Sequence, residues 1–170
     1  AVLGPHHQKI MELPSPREDP QIFEDELWTV LRPNVLGPLT ASRLAIERTS
    51  VKNGGRGGAI VNISSGAAFI QGAPLLYMIS KGALNSMQCG LVQECAKHGI
   101  RINTISPGMC DTDMPSAAAK SKTPETIPMG RLGKATEIAD GVVWLLSDQA
   151  SYVSGANIRI AGGRSMGGVQ

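Results

Sequence analysis

Apolar positions recur at helical spacing from Ile22 to about Asn53, through Leu27, Val30, Leu31, Val35, Leu39, Leu44 and Ile46. Pro33 and Pro38 interrupt the run. Each removes an amide donor and crowds the preceding turn, so the pattern predicts two helical pieces or one kinked helix, ended by the glycine-rich Asn53 to Gly58. Ala59 to Ile63 is a short, mostly apolar and β-branched run between turn signals, which predicts a buried parallel strand. From about Leu75 to His98 runs a long helical pattern closed by Gly99. Only Lys81, Glu94 and Lys97 carry charge before the terminal histidine, so this helix is expected to be buried on nearly every side. Ile100 to Ser106 reads as a second strand, stopped by Pro107 and Gly108. Lys134 to Leu146 reads as an amphipathic helix through Ile138, Val142, Val143 and Leu146, and Asn157 to Ala161 as a third strand before a glycine-rich tail. Residues 1–21, with Gly4, Pro5, Pro14, Pro16 and Pro20, are expected to be irregular.

Strand, helix, strand, helix, strand is the order of parallel β-α-β units with right-handed crossovers, an α/β fold. A length of 170 residues provides one domain with a sizeable core and excludes a two-domain dehydrogenase. The formal net charge of +2, with 18% charged residues, gives no basic surplus for nucleic-acid binding. Gly and Pro, 20 and 11 residues, imply many turns, while 42% hydrophobic residues exclude disorder. Cys89, Cys95 and Cys110 form no C-x-x-C pair, and His6, His7 and His98 offer no zinc spacing beside them, which favours a reducing, cytoplasmic setting without structural metal. The longest uncharged stretch, Gly57 to Ser80, is long enough to span a bilayer. It contains Asn62, Ser64, Ser65, Gln71, Gly72 and Pro74, so it reads as strand, loop and helix start, with no membrane partner expected. No signal peptide is apparent, and the opening on Ala1 suggests an incomplete chain.

Tyr77-Met78-Ile79-Ser80-Lys81 places a phenol and an ammonium one helical turn apart on one face. A nearby cation favours the phenolate, which would make the phenol a usable proton donor and acceptor near neutral pH for reducing a carbonyl or oxidising an alcohol. Taken alone, the pair more often means a lysine on a solvated face beside a packed tyrosine. Ser64 and Ser65 follow the first strand at its carboxyl end, the edge where open α/β sheets gather ligands, although serines also form ordinary turns there. Ser106 to Thr112 is a tight turn at the second strand's carboxyl edge, either a ligand contact or a plain strand end. Asn34, after Pro33, is either a polar residue tolerated at a kink or a positioned hydrogen-bonding group.

Asn34, then Ile63-Ser64-Ser65, then Tyr77-x-x-x-Lys81, then Pro107-Gly108 through Thr112, then Gly130-Arg131 and Gly162-Gly163, stand in an order that resembles the short-chain dehydrogenase/reductase family over about residues 22 to 163. The stretches 99 to 108 and 144 to 148 match it closely. The resemblance implies a Rossmann-like parallel sheet with flanking helices and hydride transfer between NAD or NADP and a small alcohol or carbonyl substrate. By the same likeness, Tyr77 is the general acid/base, Lys81 lowers its pKa and holds the cofactor ribose, and Ser65, rather than Ser64, hydrogen-bonds the substrate oxygen. The backbone at Asn34 would hold a water relaying protons to Lys81. Tyr77, Lys81, Pro107, Gly108 and Thr112 would contact the cofactor, the turn cradling its nicotinamide end. No metal is implied.

Two departures stand out. Neither G-x-G-x-x-G nor G-x-x-x-G-x-G occurs, and Gly54-Gly55-Arg56-Gly57-Gly58 precedes a strand where a phosphate-binding turn should follow one. The chain therefore reads as a single partial Rossmann domain, residues 1–170, lacking the dinucleotide-phosphate half and leaving its first strand with an open apolar edge prone to association. Pro33 also breaks a segment that the family keeps helical. The alternative to an enzyme is a catalytically inactive remnant serving as an interaction subunit through the helix around Leu84, Met87, Leu91 and Cys95. Substrate choice would sit in Met114 to Pro128, and homo-oligomerisation through the helices near 39 to 48 and 75 to 98.

Overall fold

The computed structural model describes residues 9–70 and 72–164, without the side chains of 122–124. Gly4, Pro5, His6, His7, Gln71 and the tail from residue 165 lie outside the described residues. Helix α1 (Pro20–Leu31) starts where Asp19 accepts a hydrogen bond from the Ile22 amide and Pro20 fills a first-turn position whose N–H has no helical partner. The expectation of an irregular 1–21 is thus corrected at its end, where Pro20 and Gln21 are helical, and at Ile10–Glu12, which forms one 3-10 turn.

The chain does not break at Pro33. Arg32–Leu36 winds as a π-turn, the Gly37 amide reaching back to the Arg32 carbonyl, and leads directly into α2 (Gly37–Thr49), where Pro38 sits in the first turn. Widening the helix by one residue absorbs the missing amide and the ring.

Strands β1 (Gly58–Ile63), β2 (Ile100–Pro107) and β3 (Asn157–Ile160) form a parallel sheet in the order β1-β2-β3, with Gly58 opposite Ile100 and Thr104 opposite Asn157. Helix α3 (Leu75–Lys97) links β1 to β2, and α4 (Ala117–Lys122) and α5 (Ala135–Leu146) lie between β2 and β3. Helix α4, in a segment with no apolar period, is not anticipated by the pattern.

Strand alternation divides the core in two. Ile60, Ile100 and Ile102 pack against Ile46 of α2 and Leu91, Val92 and Cys95 of α3. Val61, Ile105, Ile158 and Ile160 pack against Ile138, Val142 and Leu145 of α5. Helices α3 and α5 therefore cover opposite faces while the strands step in one direction, so the two crossovers have opposite hands. This corrects the expectation of right-handed crossovers throughout. The usual hand arises when a helix feeds straight back onto its sheet; residues 108–134 intervene before α5 and free it to approach the other face.

Helix α3 also departs from expectation. Leu76, Tyr77, Ser80, Lys81, Leu84, Gln88 and Cys95 are buried, but Ile79, Ser86, Cys89, Gly90 and Gln93 line an exposed stripe. At the amino end of the sheet, Gly57 has φ +74° and a Cβ there would lie 2.2 Å from the Gly99 carbonyl oxygen, so these glycines close the loop that delivers β1.

Candidate active site

The carboxyl end of β1 gathers the polar groups. Ser65, extended in backbone, caps the 3-10 turn Gly66–Phe69 by accepting from the Ala67 amide at 3.1 Å. Its side chain also lies near enough to the Tyr77 phenol to favour the ionised form. Tyr77 stands in the first turn of α3, its side chain buried. One turn on, the Lys81 ammonium lies 5.7 Å from the centre of the Tyr77 ring and donates to the Ile63 carbonyl at 2.8 Å. Ser64 faces inward: its Oγ donates to the Lys81 backbone carbonyl at 2.8 Å, which leaves Ser65 as the serine beside the phenol.

Burial governs the charges. It pushes the Tyr77 phenol above its ordinary value near 10, and the nearby Ser65 side chain offsets this only in part. Burial also lowers Lys81 to about 8. The expected lowering of the phenol by the ammonium is therefore not what this geometry gives. The lysine spends its hydrogen bond on Ile63 and sits beside the ring face, and removal of both groups from water pushes each toward its neutral form.

Asn34, 2% exposed within the π-turn, donates through Nδ2 to Ser80 Oγ at 3.1 Å, and Ser80 Oγ donates to the Tyr77 backbone carbonyl at 2.8 Å. Ser80 thus ties the π-turn to the first turn of α3. Sequence reasoning assigned it no part; the signal was a serine between Tyr77 and Lys81 on an otherwise apolar helix, free to bond back one turn.

The Pro107–Gly108 turn closes the other side. A Cβ on Gly66 would lie 3.1 Å from the Pro107 carbonyl oxygen, and one on Gly108 would lie 2.8 Å from the Ala161 Cα, so both glycines let backbones meet. Cys110 pairs with Gly133, and the Asp111 amide donates to the Gly133 carbonyl at 2.8 Å, bringing the turn against the segment that carries Gly130 and Arg131. Arg131 makes a forked ion pair with Glu137, with bonds of 2.6 and 2.9 Å. This pairing, with the Lys134 amide, holds the half-buried Glu137 at about 2. Thr112 lies half-buried past the bridge. Among the described residues no group of three or more His, Cys, Asp or Glu is placed to hold a metal.

A family model described as enoyl-(acyl carrier protein) reductase matches residues 21–165. The chain belongs to the short-chain dehydrogenase/reductase family. It is 44% identical over 142 residues to the uncharacterized oxidoreductase YgfF of Escherichia coli K12, covering 79% of this chain and 57% of that protein. It is 38% identical over 151 residues to galactitol 2-dehydrogenase (L-tagatose-forming) of Cereibacter sphaeroides, covering 82% and 58%. A solved 4-hydroxyisoleucine dehydrogenase complexed with NADH superposes with a TM-score of 0.78 at 27% identity over 97% of this chain and 67% of its own. The chain thus spans about half the length of the curated relatives it matches. As in its dehydrogenase relatives, the fold is a Rossmann-like parallel sheet flanked by helices.

The family implies a nicotinamide dinucleotide, and the donor set fits one end of it. The Tyr77 hydroxyl, the Lys81 ammonium and the Pro107–Gly108 turn meet at the carboxyl edge of the sheet, where a ribose and a nicotinamide ring would lie. The described residues supply no matching phosphate cradle: Gly54 to Gly58 lies at the opposite, amino end of β1.

Proposed function

We propose that this short-chain dehydrogenase/reductase transfers a hydride between NAD or NADP and a small alcohol, ketone or aldehyde. The observation that carries the reading is the convergence of Ser65, Tyr77 and Lys81 at the carboxyl end of β1. A bound nicotinamide supplies or accepts the hydride. Tyr77 Oη passes a proton to the carbonyl oxygen in reduction, or takes it from the alcohol in oxidation. Ser65 Oγ, already beside the phenol, holds the same substrate oxygen. Lys81 binds the cofactor ribose. Asn34, fixed through Ser80, presents its backbone at the π-turn to a water that returns protons toward Lys81. Pro107, Gly108 and Thr112 contact the nicotinamide end.

No helix among the described residues is long and apolar enough to cross a membrane. The exposed Leu39 and Leu44 on α2 and Ile79 on α3 support association of like subunits through these helices. Following nicotinamide fluorescence while titrating NADH and NADPH into the protein tests the reading. Saturable binding weakened at least tenfold in Lys81→Met supports it, whereas no binding by the intact protein favours an inactive interaction subunit.

A further inference from the structure

The sheet face under α3 turns polar toward its carboxyl end. Ile60 and Ile102 belong to the core closed by α2 and α3. Since side chains alternate along a strand, Asn62 and Thr104, each two residues further on, project from that same face. They are direct cross-strand partners. Asn62 is 7% exposed and Thr104 0%, yet Asn62 Nδ2 and Thr104 Oγ1 have no hydrogen-bond partner. Other polar groups around them are paired: Ser106 Oγ donates to Asn157 Oδ1 at 2.7 Å, Asn157 Nδ2 to Asn85 Oδ1 at 2.9 Å, and Ser64 Oγ to the Lys81 carbonyl at 2.8 Å.

A buried amide or hydroxyl left unpaired forfeits its hydration with nothing in return, and native interiors meet such groups with ordered water. Adjacent strands run about 4.8 Å apart, so two side chains rising from paired residues on one face are spaced to share a single small molecule. Their chemistry is complementary to water, the amide only giving a hydrogen bond and the hydroxyl both giving and accepting. We propose that Asn62 and Thr104 form an internal water-binding site between the sheet and α3. The water accepts from Asn62 Nδ2 and shares a hydrogen bond with Thr104 Oγ1. It fixes the Asn62 amide just before Ile63, Ser64 and Ser65, the residues through which β1 meets Lys81 and Tyr77. The site is independent of the reaction proposed above.

A high-resolution crystal structure of the protein, paired with thermal unfolding of Thr104→Val, tests this. Valine keeps the shape and removes the hydroxyl. The water site predicts an ordered water within hydrogen-bonding distance of both atoms, and a midpoint lowered by about 3 °C as the water and the Asn62 amide lose a partner. A raised midpoint would mean that valine had relieved a hydroxyl that was unpaired, and overturns the proposal. If the variant does not fold, the density of the unaltered protein decides: a direct Asn62–Thr104 hydrogen bond, or no ordered water between them, overturns it equally.

Discussion

Lys81 carries the sharpest conflict between stability and chemistry in this chain. Buried and lowered to about 8 from the usual 10.5, it binds fewer protons folded than unfolded across that interval, so its contribution to stability rises with pH above about 8. The raised Tyr77 opposes this past about 10, where the unfolded phenol is the first to lose its proton. Below 8 the buried ammonium costs on the order of 2 kcal/mol. Lys81→Met is therefore expected to raise stability by about 1 to 2 kcal/mol at pH 7, with the gain shrinking between pH 8 and 10. Urea unfolding of both proteins across that range checks it; a gain that does not change with pH would contradict the titration. Ser80 acts through geometry. Ser80→Ala removes the hydrogen bond that Asn34 gives across to α3 and is expected to cost about 1 kcal/mol in the same assay, while leaving the ordinary helical hydrogen bonds of α3 in place.

At the scale of elements, the close approach of Gly108 to Ala161 joins the β2 turn to the end of β3. Gly108→Ala forces two backbones apart at a 2.8 Å contact and should lower both the thermal midpoint and the affinity for NADH. A variant of unchanged stability and affinity would show that the turn tolerates the shift. Much of this was legible in the sequence. β-branched runs bounded by turn residues gave all three strands to within a residue or so, and the Tyr77-x-x-x-Lys81 spacing with Ser65 upstream marked the cluster before any coordinates. The π-turn was not legible, because a proline within apolar periodicity signals a disturbance without saying whether the helix breaks, kinks or widens. Nor was the hand of the second crossover, which depends on the path of residues 108–134. The expected lowering of the Tyr77 phenol is opposed by its burial, since spacing shows which charges are near each other but not how dry they are.

For the whole molecule, β1 is an edge strand among the described residues, and Ile63 on it is exposed. An unpaired apolar edge seeks a partner. Size-exclusion chromatography of the chain is expected to show concentration-dependent association, and a monomer at all concentrations that unfolds cooperatively would contradict the edge argument. The functional claim rests on three side chains meeting at one point. Its most direct test is the rate of reduced nicotinamide consumption with small ketones and aldehydes by the intact protein and by Tyr77→Phe. The account predicts turnover that falls at least a hundredfold when the phenol oxygen is removed; equal rates in the two proteins, or no turnover with either nucleotide, would contradict it.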